Sequence, residues 1–449
     1  MKLPAFITEN LIILRNLARG GVFNSAGLGF ALYVIIICYP GIKATSAELM
    51  DLRSGFLNQA DVGGATLYFA VPALLLGLLV FSRFGVAAAI YRAQPFLIFL
   101  LVYSSLIIFA SVAAAEFIQS PAQIVQYAVT LGAFLLCLCF WQAPSREVDD
   151  ALAMAFCALA GSLVTAAIVQ GFHAYRWVGL IHPNHYARYA YVALVLHSLV
   201  VRRVSLPVFL LCFGATYVVS ARTVMIGTLL FYLGYLAFAH YRAISSRAQQ
   251  IVNLHAIAVI SISLPLVLVA ASFFVDTDRL IDKVTKDLAL FDPDRGVFSG
   301  FTGRSESWNI FFDTADQFVF FGYGFRSSRY GVHEVIHSGI LSYFVDFGIL
   351  LGGLLLFVVV ARSVYLIWIG LRRGNRRTLL CGLALATTLL IQWFEPDNFN
   401  IGFIGAFFFM LILAYTPAAK GRRSSRSLAR YVALEPGQAS LQPELGTHS

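Results

Sequence analysis

Run after run of apolar residues, each close to the ~20 needed to cross the hydrocarbon core of a bilayer, decides what this chain can become. About twelve such runs occur, at 24–42, 64–82, 95–115, 122–142, 149–170, 186–201, 204–220, 222–240, 252–275, 347–370, 378–394 and 400–416. With 59% hydrophobic and 12% charged residues, no ordinary soluble domain fits. The short-period alternation of a β-barrel is absent, so the predicted fold is an all-α polytopic membrane protein. The stretch 204–240 is too long for one span: a single helix would measure ~55 Å against a ~30 Å core. It must fold back, and its one polar break is Ser220-Ala221-Arg222-Thr223.

The net charge of +9 could suggest nucleic acid. Its cations instead sit in alternate short loops: Arg83 and Arg92, Arg146, Arg202 and Arg203, Arg242 and Arg247, then Arg372, Arg373, Arg376 and Arg377. That is the bias that marks cytoplasmic loops, so both termini are predicted to be cytoplasmic, with membrane lipid rather than nucleic acid as the surroundings. Residues 1–20 read as an interfacial helix, not a cleavable signal. All six cysteines fall inside apolar runs, which gives no disulfide framework. The chain divides into spans over 1–275, a long polar loop over 276–346 holding short helices between spans 9 and 10, spans over 347–416, and a basic cytoplasmic tail over 417–449 whose polarity predicts disorder.

The long loop closes on His333-Glu334-Val335-Ile336-His337, directly before an apolar run. A helix over 333–345 would set both rings on one face. Two chemistries compete there. A neutral imidazole can accept the proton of an attacking hydroxyl. The pattern H-E-x-x-H can also hold zinc with a general-base glutamate. The zinc chemistry needs a third ligand from Asp346, Glu395 or Asp397, and Ser338-Gly339 suits a continuing helix poorly. Aspartate pairs at 276 and 278 and at 292 and 294 are further metal candidates, set against ordinary turns.

Arginines supply the other signal. Arg222 lies between two apolar runs, where a guanidinium either reaches lipid headgroups or clamps a phosphate. Arg304 follows Gly303 and leads into an apolar face of Trp308, Phe311 and Phe312; a loop salt bridge with Glu306 is the plain alternative. Asn184, His185 and Arg188 open a span after Pro183 and could line the mouth of a headgroup cavity. His197, deep in a span, is expected to pack against neighbouring helices.

These features occur in order: Ser220 to Thr223 at a hairpin tip, Gly303-Arg304 with Trp308, Gly322-Tyr323-Gly324, His337-Ser338-Gly339-Ile340-Leu341, then Asp346-Phe347-Gly348 with Gly352. The set resembles the bacterial O-antigen ligase and O-antigen polymerase family over roughly 180–360, with Ser338 where the family often has asparagine. The resemblance, with the ligase branch favoured, implies a glycosyltransferase of lipopolysaccharide biosynthesis in the bacterial inner membrane. Its active site would face the periplasm. Its donor would be undecaprenyl-diphosphate-linked O-antigen and its acceptor a sugar of the lipid A core, with no metal and no nucleotide or other cofactor. His337 would be the catalytic base, and Arg222 and Arg304 would hold the diphosphate, with Arg188, Asn184 and His333 as further substrate-binding residues. An O-antigen polymerase or a protein O-oligosaccharyltransferase of the same family, a membrane zinc metallopeptidase using His333, Glu334 and His337, and a transporter remain open.

Overall fold

The computed structural model describes residues 121–142, 145–170, 183–219, 221–243, 304–324, 338–394 and 404–417, with positions 13, 98, 102–103, 105–106 and 327. The expected spans at 24–42, 64–82 and 252–275, most of 95–115, the aspartate pairs and nearly all of the tail lie outside them. Among the described residues every regular element is helical. They are α1 (Pro121–Phe140), α2 (Ser145–Gln170), α3 (Pro183–Val201), α4 (Leu206–Val218), α5 (Arg222–Ala243), α6 (Arg304–Asp313), a 3₁₀ turn (Ala315–Phe318), α7 (Gly339–Phe347), α8 (Ile349–Arg373), α9 (Arg376–Phe394) and α10 (Ile404–Leu413). α1–α5 and α8–α10 coincide with expected spans to within about a helical turn. Ser145–Ile168, α8 and α9 are long and apolar enough to cross a membrane; Leu206–Val218 and Arg222–Phe238 are shorter apolar helices. The described helices all belong to one compact unit within Met1–Tyr415.

The 204–240 stretch does fold back. α4 stops at Val218 and α5 starts at Arg222, and the two pack through Phe209 and Tyr232, stacked 4.1 Å apart. α9 is the axis around which the described helices gather. Its strongest partner is α8, joined through Gly374 and Asn375 alone. Gly374 takes φ +66°, a left-handed helix end that favours glycine, and Asn375 Oδ1 accepts from Thr378 N to start α9. Small residues let the two backbones touch. A Cβ on Gly370 would lie 2.6 Å from Leu379 N, and one on Gly382 2.6 Å from Ile367 N, while Ser363 Oγ donates to Gly382 O at 3.0 Å. Gly382→Val should therefore push α8 and α9 apart and cost about 1–3 kcal/mol or more of stability, read as a lower midpoint of thermal unfolding in detergent.

α3 and α5 both run antiparallel to α9. Tyr191 OH donates to Ala384 O at 3.2 Å and meets the hydroxyl of Thr387, while Arg377 donates to Leu199 O at 3.4 Å. Gly227 faces Ile391, and Gly234 faces Leu383. His197 is buried with its ring edge-on to Phe156 at 5.2 Å, the packing role expected of it.

At one end of the bundle Asp149 accepts from Arg202 at 3.1 Å and pairs with Arg377. That single carboxylate ties the start of α2, the end of α3 and the start of α9, three places where the sequence puts cationic loops. The opposite end holds the starts of α3 and α5 and the finish of α9.

α6 and the 3₁₀ turn pack on α7 through Phe311, Phe318, Leu341 and Val345, with Trp308 and Phe344 against them. Phe312 departs from the sequence expectation. It is 64% exposed, because residues one apart on a helix point about 100° from each other and Phe311 already takes the inward position.

Candidate functional site

Between α3, α9 and α10 lies a small, partly open cavity of about 30 Å³. Arg188 is 9% exposed and forms part of its wall, with His185 beside it. Tyr191, Thr388 and Gln392 add neutral hydroxyl and amide groups further along the helices. α3 presents these residues together because Arg188, Tyr191 and Val192 follow the three- and four-residue steps of one helical face. The pocket wall thus joins the Arg188 guanidinium, a group that can bind phosphate oxygens, to hydroxyl, amide and apolar groups.

A second cavity, of about 20 Å³, is mostly apolar. Ile340 and Tyr343 of α7, Leu356 and Val359 of α8, Leu389 of α9 and Phe409 of α10 line it. Gln392 lines both cavities, so the two share a wall. Burial holds the Tyr343 phenol well above its usual range, with Tyr127, Tyr103 and Asp346 pushing in the same direction; the hydroxyl stays protonated.

The last turns of α9 bring further elements to this place. Ile391 lines the first cavity and touches the α5 backbone at Gly227, little more than a turn beyond Arg222. Trp308 of α6 sits 6.2 Å from Phe394, ring to ring, one turn after Arg304. α3, α5, α6 and α7 thus all begin near the end of α9. The start of α3, which carries partial positive charge, lies beside the Arg188 cavity. Of the residues singled out in the sequence, Arg188 enters the cavity wall. Asn184 is half-buried in the first turn of α3, and Arg222 is exposed at the first residue of α5. Arg304 is the first residue of α6, though its side chain lies outside the description, and His333 and His337 lie outside the described residues.

Ser338 is extended (φ −151°, ψ 124°) and caps α7, its hydroxyl accepting from Leu341 N at 3.2 Å. A continuous helix over 333–345 is therefore ruled out at Ser338: α7 covers Gly339–Phe347, and residues 333–337 lie outside the described residues. A serine oxygen that satisfies the first turn's N–H gives the helix its natural start there. Upstream, Tyr323 N donates to Val345 O at 2.8 Å and Gly324 N to Asp346 O at 3.1 Å. The buried Asp346 carboxylate accepts from both the N–H and the hydroxyl of Ser327, each at 2.9 Å. Gly322 permits this clasp, since a Cβ there would lie 2.2 Å from the Asp346 carbonyl carbon.

Sequence reasoning missed Tyr191, Thr388 and Gln392. Each lies inside an apolar run, and nothing in a hydropathy profile says that the three line one cavity. Asp346, a candidate metal ligand in the sequence, holds Ser327 through its carboxylate. No protein-family model and no curated protein matches the chain.

Proposed function

We propose that the protein transfers a glycan from a lipid diphosphate carrier to a lipid-anchored sugar acceptor. In the terms of the family it resembles, it acts as an O-antigen ligase, taking undecaprenyl-diphosphate-linked glycan to the lipid A core at the periplasmic face of the inner membrane. The observation that carries this is the Arg188 cavity at the end of the bundle where α3, α5, α6 and α7 start. The cation-bearing loops tied by Asp149 lie at the other end, the end that the positive-inside rule would put in the cytoplasm.

In this reaction the acceptor hydroxyl attacks the anomeric carbon of the donor sugar. Its proton passes to His337 while the bond from that carbon to the diphosphate oxygen breaks. The leaving lipid diphosphate gains negative charge as it departs, and fixed guanidinium groups stabilise it without rearranging. Arg188, Arg222 and Arg304 take that part, with Asn184 and His333 as further substrate contacts. Attack opposite the leaving group inverts the anomeric carbon. The peptidase alternative has less support, because the residue after H-E-x-x-H is an extended helix cap where a zinc-binding helix would continue.

Purified protein supplied with lipid-linked glycan and core lipid should form the joined product in the presence of a chelator. His337→Ala should lower the rate by ~10²–10⁴-fold with donor binding kept. Growth of glycan on the carrier without core lipid would assign a polymerase instead. Loss of activity with chelator, restored by zinc, would replace the metal-free mechanism.

A further inference from the structure

The outward side of α8 carries an apolar strip. Leu350, Leu354, Phe357, Val360, Val364 and Trp368 recur every three or four residues and are all exposed, Phe357 at 67%. From Leu350 to Trp368 the strip is ~27 Å long at 1.5 Å per residue, close to the ~30 Å of a hydrocarbon core. One end is marked: Arg372 lies over the Trp368 ring at 5.2 Å, an aromatic and cation pair suited to a membrane surface. The other hydrocarbon boundary must then fall near Leu350.

The segment after the 3₁₀ turn is fastened there. Leu350 N donates to Val319 O at 2.9 Å, and a Cβ on Gly348 would lie 2.2 Å from Phe320 O. Phe320 is 62% and Phe321 43% exposed beside the start of the strip, while Asp316 and Gln317 are exposed on the preceding turn. We propose that Phe320 and Phe321 dip into the lipid leaflet at the boundary between headgroups and acyl chains, and so set the height of the clasped loop and of α7 at the membrane surface. The occupant is lipid because these exposed rings are tied by backbone contacts to the start of a face matched in length and period to the bilayer core. Two rings in this boundary zone also remove apolar area from water while leaving Asp316 hydrated. The proposal does not depend on the transfer chemistry.

The test uses the full chain in vesicles of phosphatidylethanolamine and phosphatidylglycerol whose acyl chains are brominated either near the headgroup or near the chain end. Fluorescence of the five native tryptophans is measured on the unaltered protein and subtracted. The emission added by Phe320→Trp should be quenched most by bromine near the headgroup, and Phe321→Trp, made separately in case one variant fails to fold, should behave alike. Emission added by Asp316→Trp should be quenched by neither. If both phenylalanine replacements are quenched no more than Asp316→Trp, the segment faces water or protein and the proposal is overturned. Strongest quenching by bromine near the chain end would overturn the boundary placement.

Discussion

Gly322→Ala should cut glycan transfer by on the order of a hundredfold, the scale on which a small misplacement of a reacting group acts. The new methyl would meet the carbonyl carbon and oxygen of Asp346 at 2.2 and 2.3 Å and Val345 O at 2.4 Å, all backbone atoms that no rotamer change can move aside. Relief requires parting the clasp, which forfeits the hydrogen bonds of Tyr323 and Gly324, about 1–3 kcal/mol for the two. The Ser327 contacts with Asp346 are anchored by the same backbone and should loosen with it. Residues 328–337, with both histidines, connect Ser327 to the cap at Ser338, so one end of that connection would be released. Gly353→Ala is the matched control, because a Cβ there meets nothing closer than Phe344 Cε1 at 4.0 Å. Transfer assays on both variants, with thermal unfolding in detergent alongside, separate a positioning defect from a folding defect. Wild-type turnover by Gly322→Ala would show that the clasp does not position the reacting groups.

Arg188→Ala should weaken binding of a lipid diphosphate by about ten- to a hundredfold, the equivalent of one hydrogen-bonded contact between charged groups. Lysine should restore part of this, since it keeps the charge and loses the planar fork. Arg202→Ala, exposed at the opposite end, should leave binding unchanged while Arg377 remains paired with Asp149. Equilibrium binding of the diphosphate lipid reads all three. Equal affinity in wild type and Arg188→Ala would remove the cavity from the donor site, and full rescue by lysine would reduce the contact to simple charge.

How far the sequence reveals the molecule depends on the length scale of the signal. The fold-back at Arg222 is legible because ~55 Å of helix cannot fit a ~30 Å core, whatever the neighbours do. Packing of His197 against another helix is legible for a similar reason: a lone imidazole in an apolar run has few other options. The start of α7 is less so. Spacing of four between histidines favours one helix, while Ser338 as a cap favours another start, and only the local hydrogen bond decides between them. Arg377 reads as one more loop cation and proves to be 9% exposed against Asp149, a partner far away in the chain. The cavity is the least legible part. Its polar groups come from Arg188 and Tyr191 on one helix and from Thr388 and Gln392 on another, so no window of sequence contains it.

The two-residue link at Gly374 and Asn375 bears on how such a chain is made. Closing so short a connection costs little entropy, and its own hydrogen bonds fix the geometry before any distant segment arrives. α8 and α9 can therefore leave the insertion machinery as a finished antiparallel pair. Helices synthesised much earlier, α3 and α5, must wait in the lipid until that pair appears and then dock on it laterally. On this route the chamber around Arg188 is among the last features to close during biogenesis.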